Sequence, residues 1–345
     1  MKLHLKGRRI ALTVLVAGLA FVAVALVIKC VIVPDMKKWP DDVDITRYYT
    51  GSLHEMLDQR ALTSLDLENL IMRAIPIDIT RYYSTVETEG NKAIVREVIM
   101  MADSSGKTIQ SSEKYYAVDR KTLEAIPNFS HEHDVSERKG LTFSFPIGVD
   151  KKDYSRWVSD LQRTAPILYR GEEEIYNRNT CVFESIVSPE EVVNPEILSR
   201  LPQSLPLDLF SVLVSSIELR EEKHAAMEEI VSTLPDPVPL TYLYEYEATY
   251  WIDPETGINI DIRRHEKRTA AIEYQEEMIP LVPVFNVEYQ ATRESINNAI
   301  DDAEKIHDRI RLWDSSVPGA LIGIGAILII FGIFRVFRQN PQPER

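Results

Sequence analysis

Apolar positions follow three different periods along this chain. At the two ends they run almost unbroken: residues 10–33 are apolar or small apart from Lys29, and residues 317–337 apart from Arg335. Either run, as a helix, covers the ~30 Å hydrocarbon layer of a bilayer. Basic Lys2, Lys6, Arg8 and Arg9 precede the first span, and Arg335 and Arg338 close the second. Both tails, 1–9 and 338–345, are therefore expected on the cytoplasmic side of a cell membrane, with everything between the spans outside. Ala23 and Ala25 form an A-x-A pattern that a signal peptidase would read, but the apolar run continues past them, which favours a retained anchor.

Between the spans the period falls to two. Tyr242, Tyr244, Tyr246, Ala248, Tyr250 and Ile252 share one parity, against Thr241, Glu245, Glu247 and Thr249 on the other. That is a half-buried strand, and its aromatic face is either core or the lining of a ligand groove. Alternation resumes after the turn as Ile258, Ile260 and Ile262, so the two stretches form a hairpin. In the turn, Asp253 can accept from backbone N–H groups, Pro254 fixes φ, and Gly257 can take a positive φ. A weaker copy of this phrase starts at Tyr116, with Asp119 and Thr122 in register and Leu123 where the glycine stands. Around it a meander is expected over 76–86, 93–102 and 108–118. Asp44-Ile-Thr-Arg-Tyr-Tyr49 also recurs as Asp78-Ile-Thr-Arg-Tyr-Tyr83, which reads as two strands of similar environment.

Two stretches take the helical period. A helical insertion over 188–234 is expected to open at Ser188, an N-cap followed by Pro189 and two acids, with breaks at Pro202 and Pro206. From Thr292, the residues Ile296, Ala299, Ala303, Ile306, Ile310 and Trp313 make a short a/d seam. It would pack on its own ectodomain, on the membrane surface, or on a second copy of the chain. The expected architecture is thus membrane-anchored α+β. Two transmembrane helices flank a first β-rich unit (34–149), a second β-rich unit carrying the insertion (150–288) and a juxtamembrane helix (289–316).

Composition narrows the partners. The 345 residues are 45% hydrophobic, enough for a substantial core. Residues 34–316 hold 31 basic and 52 acidic side chains, a net −21 that speaks for solubility outside the cell and against nucleic acid. Membrane lipids and a second copy of the chain are the expected partners. Cys30 sits at the membrane edge and Cys181 far along the ectodomain, so the two give no disulfide framework to read, and a single bridge between them stays open.

Catalytic motifs are missing: there is no G-x-S-x-G, no H-E-x-x-H, no C-x-x-C pair and no glycine-rich phosphate loop. His131 and His133 would point the same way on a strand but have no second ligand pair, so neither a metal nor a cofactor is expected. Asn128 heads a glycosylation sequon. Gly319 and Gly323 form a G-x-x-x-G that lets membrane helices approach closely.

The order of features resembles the porin PorA family of actinobacterial and archaeal membrane proteins, formerly a domain of unknown function. The residues that carry the resemblance are the two spans, Gly140-Leu-Thr-Phe-Ser-Phe-Pro146 with Asp153, Tyr154 and Trp157, Tyr169-Arg-Gly171, Tyr250-Trp-Ile-Asp-Pro-Glu-Thr-Gly257 and the helix from Thr292. Trp251, Asp253, Thr256 and Gly257 are also similar to a turn of the periplasmic lipoprotein-carrier fold, whose curved sheet holds acyl chains. The family resemblance implies a channel-forming assembly. The residues themselves favour a non-enzymatic membrane protein whose ectodomain binds a lipid or another apolar ligand, or serves envelope structure. An unrecognised enzyme is the third reading.

Overall fold

A computed structural model of the chain describes residues 2–58, 61, 64, 69–135, 137–215, 227 and 229–338. These form two compact units, residues 1–38 with 301–345 and residues 39–300.

The first unit contains two helices long and apolar enough to cross a membrane, Ile10–Met36 and the later part of Arg293–Phe337. Each has one widened π-helical turn, Ile28–Ile32 and Leu312–Ser316. They pack antiparallel along small residues spaced by seven: Ala11, Gly18 and Ala25 face Pro318, Gly325 and Gly332, all buried. A Cβ at Gly18 would stand 2.8 Å from the Gly325 carbonyl oxygen, and one at Gly325 would stand 2.8 Å from that of Gly18. This pair within the chain does not use Gly319 and Gly323, since Cβ atoms at those two positions would meet nothing within 4 Å. The reason is rotational: Gly319 and Gly323 lie off the 318–325–332 stripe.

The second unit is built on strands β1 (Asp44–Leu57), β2 (Ile71–Glu89), β3 (Lys92–Asp103), β4 (Thr108–Asp119), β5 (Tyr154–Val158), β6 (Arg163–Ile175) and β7 (Arg178–Glu191). After the short β8 (Ser204–Leu205) and β9 (Val238–Pro239) come β10 (Thr241–Ile252), β11 (Asn259–Tyr274) and β12 (Glu277–Ala291). Ten of these make one antiparallel sheet in the order β4-β3-β2-β1-β12-β11-β10-β7-β6-β5. Strands from both sequence units, 34–149 and 150–288, share it because β1 pairs with β12. Lys114 and Tyr116 of β4 and Arg156 and Trp157 of β5, the first and last strands in that order, line one cavity, so the sheet curls until its two ends nearly meet. Short bridges join the edges: Ala125 to Val118, Leu141 to Glu124 and Leu141 to Arg156. Bridged edges leave fewer unpaired backbone groups to recruit another chain.

The helical insertion starts later than 188. β7 continues to Glu191, opposite Leu243, and Ser188-Pro189 sits in a bulge opposite Glu245, between the pairs Val187–Tyr246 and Glu190–Tyr244. A bulge tolerates proline because no ladder N–H is needed there. The N-cap is Asn194, whose side chain accepts from Glu196 N–H at 2.9 Å ahead of the helix Pro195–Leu198. A second helix, Leu207–Ser215, puts Phe210 and Val214 in the same core cluster as Val238 and Tyr242. Residues 216–226 and 228 of the expected insertion lie outside the described residues. At the end of the sheet, Thr292 caps the helix from Arg293, and Ser295 Oγ accepts from Tyr48 N–H of β1 at 3.1 Å.

Candidate functional site

One carboxylate organises the β10–β11 hairpin. Asp253 Oδ1 accepts from the Thr256 backbone N–H and hydroxyl, each at 2.9 Å, and from Glu255 N–H at 3.2 Å. Gly257 has φ +71°, and its N–H donates to the Asp253 carbonyl at 2.9 Å. A Cβ there would stand 2.6 Å from the Phe145 carbonyl oxygen and closer still to that of Pro146. Glycine is thus required both by dihedral angle and by space. The turn after β4 is built alike: Asp119 Oδ1 accepts from Lys121 and Thr122 N–H at 2.8 and 2.9 Å, and Leu123 holds the left-handed position at φ +56°. Both aspartates are occupied by their own backbone.

The inner face of the sheet carries a different feature. On β11, Ile260, Ile262, Ala270 and Ile272 are buried, and on the same parity between them lie Arg264, Glu266 and Arg268. β2 sets Arg81 in line with buried Ile77 and Ile79, and β3 sets Glu97 in line with Val95 and Met101. A buried charge costs several kcal/mol unless it is well paired. Their partners therefore decide what this belt is.

Some are fully paired. Arg268 donates to both carboxylate oxygens of Asp160 and, at 3.0 Å, to Glu266. Glu97 accepts from the Tyr116 hydroxyl and stands 3.5 Å from Arg81. Others are not. Arg81 and Arg264 both donate to the one hydroxyl of Tyr289, at 2.7 and 2.9 Å, so these nitrogens are at most about 5.6 Å apart. At an effective dielectric of about 20 that is ~3 kcal/mol of repulsion before their carboxylate neighbours are counted. Arg156 stacks 4.0 Å from the Tyr246 ring centre and Arg138 stacks 4.7 Å from that of Tyr116, aromatic faces taking the place of carboxylates. Among the described residues, four guanidinium nitrogens, Arg81 Nε, Arg138 Nε, Arg156 Nη1 and Arg264 Nε, are buried without a hydrogen-bond partner.

These groups surround two adjoining cavities. The first, of about 230 Å³, has six cationic side chains and three carboxylates in its wall. The second, of about 150 Å³, is walled largely by rings and aliphatic chains, among them Trp39, Phe143, Phe145 and Ile262. Arg81, Thr142, Arg156 and Arg264 line both and so stand at the junction. Burial pushes the Glu97 carboxyl up, but Arg81 and the Tyr116 and Tyr83 hydroxyls outweigh it and hold it below the ordinary value. Burial works against the Arg268 charge, yet Asp160 and Glu266 keep its pKa above normal. Tyr250, hydrogen-bonded to the Tyr246 hydroxyl at 2.7 Å, is pushed up by burial and pulled down further by Arg156 and Arg264, ending below a usual phenol.

The four tyrosines singled out on β10 do not line one common groove. Tyr242, Tyr244 and Tyr246 are no more than 2% exposed. Tyr242 packs under the helical insertion and donates to the Pro202 carbonyl, Tyr244 reaches the larger cavity, and Tyr250 the smaller one. His133 stacks on Tyr115 at 4.5 Å, and His131 is exposed. No group of three His, Cys, Asp or Glu able to hold a metal occurs among the described residues. Asn128 is exposed, and its amide donates to the His133 carbonyl at 3.1 Å. The belt residues Arg81, Glu97, Arg156, Arg264 and Glu266 were not singled out from sequence. Their signal is there, as charges on the inward parity of strands whose neighbours two residues away are apolar.

Among solved structures, the chain is 8% identical to a conserved hypothetical protein from Mycobacterium tuberculosis with a double hotdog fold, over 80% of each chain at a TM-score of 0.14. It is 10% identical to a MaoC-like dehydratase, over 73% of this chain and 76% of that one at a TM-score of 0.13. Scores this low carry no argument. A protein named Porin PorA from Corynebacterium resistens is 23% identical over 242 residues. The match takes in 59% of this chain, and it spans 57% of the length of that relative. The family model described as Porin PorA matches residues 10–334, both apolar helices and the whole sheet between them, and the chain belongs to the porin PorA family.

Proposed function

We propose that this protein is a non-enzymatic, two-pass membrane protein whose β-rich part, outside the cell membrane, is a ligand-binding ectodomain. One observation carries the reading: the curled sheet bounds a cavity of about 230 Å³ with six cationic side chains against three carboxylates in its wall. A buried charge costs several kcal/mol unless it is paired, so an excess of cations around this cavity favours a bound group of opposite charge over packing alone. The orientation, with both termini cytoplasmic, rests on the basic flanks of the spans. Exposed Ile327, Ile330 and Phe337 give the second span an apolar surface for membrane lipids.

A second reading, a channel, is favoured by the name of the Corynebacterium resistens relative. A pore in this chain would have to come from self-association of the helices, and Gly319 and Gly323, clear of intrachain contact, are the candidates for it. The full-length protein distinguishes the two. Native mass spectrometry should find a retained small molecule, and planar bilayers should stay silent. Conductance steps abolished by Gly319→Leu with Gly323→Leu, and no retained molecule, would replace binding with transport. For topology, Ser105→Cys and Glu173→Cys should react with an impermeant maleimide on intact cells, while a tag after Arg345, which lies outside the described residues, should be shielded. A labelled C-terminal tag would end the two-pass reading.

A further inference from the structure

We propose that the junction of the two inner-face cavities is a binding site for a small amphipathic anion, a carboxylate or phosphate on an apolar body, held by Arg81, Arg156 and Arg264. The proposal rests on the binding-ectodomain reading and names the ligand chemistry of that same cavity.

Four observations converge on it. Arg81, Arg156 and Arg264 line both cavities, and among the described residues each has a buried nitrogen with no hydrogen-bond partner, that of Arg264 lying 4.0 Å from a Glu266 oxygen. They are linked through rings: Arg81 and Arg264 meet at the Tyr289 hydroxyl, and Arg264 and Arg156 both lie against Tyr246, at 4.8 and 4.0 Å from its centre. Cations outnumber carboxylates six to three around the larger cavity, so the wall carries an excess that an anion would neutralise. The strand register adds like charge: the two Asp-Ile-Thr-Arg-Tyr-Tyr copies run antiparallel side by side, placing Arg47 directly opposite Arg81. Like charges directly opposite on a sheet are destabilising, and guanidinium groups are suited to fork-shaped bonds with carboxylate or phosphate. The apolar part of the ligand has its own place, because Trp39, Phe143 and Phe145 wall the smaller cavity beyond the arginines. The carboxylates nearest these arginines, Glu97 at 3.5 Å from Arg81 and Glu266 at 4.0 Å from Arg264, are held by other partners, Tyr116 and Arg268. They temper the excess and do not fill it.

The test uses the full-length protein in zwitterionic nanodiscs, after exchange to remove any co-purified molecule, and isothermal titration calorimetry with three probes. Phenyl phosphate carries both features, inorganic phosphate only the charge, and benzyl alcohol only the apolar body. Phenyl phosphate should bind at least tenfold more tightly than either of the others. Arg156→Gln should weaken it at least tenfold while lowering the melting temperature of the empty protein by no more than a few degrees, because Arg156 loses its stacking on Tyr246 but no carboxylate partner. Arg264→Gln should also weaken it, and Arg163→Gln, at a surface pair with Glu190 away from the cavity, should not. The molecule released before exchange identifies the source: an acid partitioning into organic solvent is a lipid, and one staying in water a soluble metabolite. Benzyl alcohol binding as well as phenyl phosphate, with no effect of Arg156→Gln, would overturn the anion and keep a binding ectodomain. If no probe binds and nothing is released, both readings fall. A drop in melting temperature with unchanged phenyl phosphate binding in Arg156→Gln would make Arg156 structural and refute the proposal.

Discussion

The claim that Gly257 docks the β10–β11 turn onto the chain at Phe145 and Pro146 can be tested against an internal control. Gly257 and Gly148 are both left-handed, at φ +71° and +77°. A Cβ at Gly148 would meet nothing within 4 Å, whereas one at Gly257 would run into two backbone carbonyls. Alanine at either site costs the left-handed dihedral, about 1–2 kcal/mol, and regains a few tenths by restricting the unfolded chain. Those terms cancel in the comparison. What remains at Gly257 is the overlap with the Phe145 and Pro146 carbonyl oxygens, in a segment tied to the turn by Gly148 N–H to the Glu255 carbonyl and Val149 N–H to the Pro254 carbonyl, of the order of 1–3 kcal/mol for a forced backbone shift. In a domain of this size each kcal/mol moves the melting temperature by roughly 2–4 °C, so Gly257→Ala should melt about 2–12 °C below Gly148→Ala. Thermal unfolding of the full-length protein in nanodiscs, followed by near-ultraviolet circular dichroism, reads the difference. Glu255→Gln should be close to wild type, because its side chain is exposed and the turn's backbone bonds are untouched. Equal losses for the two alanine variants would show that the turn does not rest on residues 145–146.

Three further outcomes are expected. Replacing Tyr244 and Tyr246 together by Ser should unfold the β-sheet unit, since each is almost fully buried and large aromatic truncations cost about 3–5 kcal/mol; a folded variant of unchanged melting temperature would show that these rings are not core. Glu97 has a folded pKa below its ordinary 4.5, so its contribution to stability is complete above that value and is lost as pH falls through it; Glu97→Gln should flatten the melting-temperature profile on the acid side of pH 4.5 and leave it parallel to wild type at neutral pH. Oxidative crosslinking of Leu15→Cys with Gly332→Cys, whose Cβ positions lie 3.2 Å apart, should be suppressed by Gly18→Leu and unaffected by Gly319→Leu.

Where one residue type has one physical use, the sequence was readable. Positive φ after Asp253-Pro-Glu-Thr could only be met by glycine at low cost, and the matching turn at Asp119 was visible through its aspartate and threonine even with Leu123 in the glycine's place. β12 was harder: Pro280 and Pro283 interrupt it, and the pairing with β11 slips around both, between Arg268 and Thr269 and between Thr269 and Ala271. Prolines at bulges look like loop from sequence and are strand in the sheet. Ser188-Pro189 misled in the same way, imitating a helix start inside β7.

The charged belt was obscured by averaging. A net −21 over residues 34–316 describes the field felt beyond a Debye length, about 8 Å at physiological salt, and there it opposes extended polyanions. Inside the sheet the relevant distances are shorter, and the composition is inverted, with six cations to three carboxylates. The inversion is written in strand parity: Arg264, Glu266 and Arg268 fall on the same side as Ile262 and Ala270, where a core would put apolar side chains. It is also written in the repeated Asp-Ile-Thr-Arg-Tyr-Tyr, but only the antiparallel register of β1 and β2 turns that repetition into two facing arginines. A sequence that keeps like charges on its inward face loses stability by doing so. That loss is the physical reason to look for a counter-charge inside this sheet.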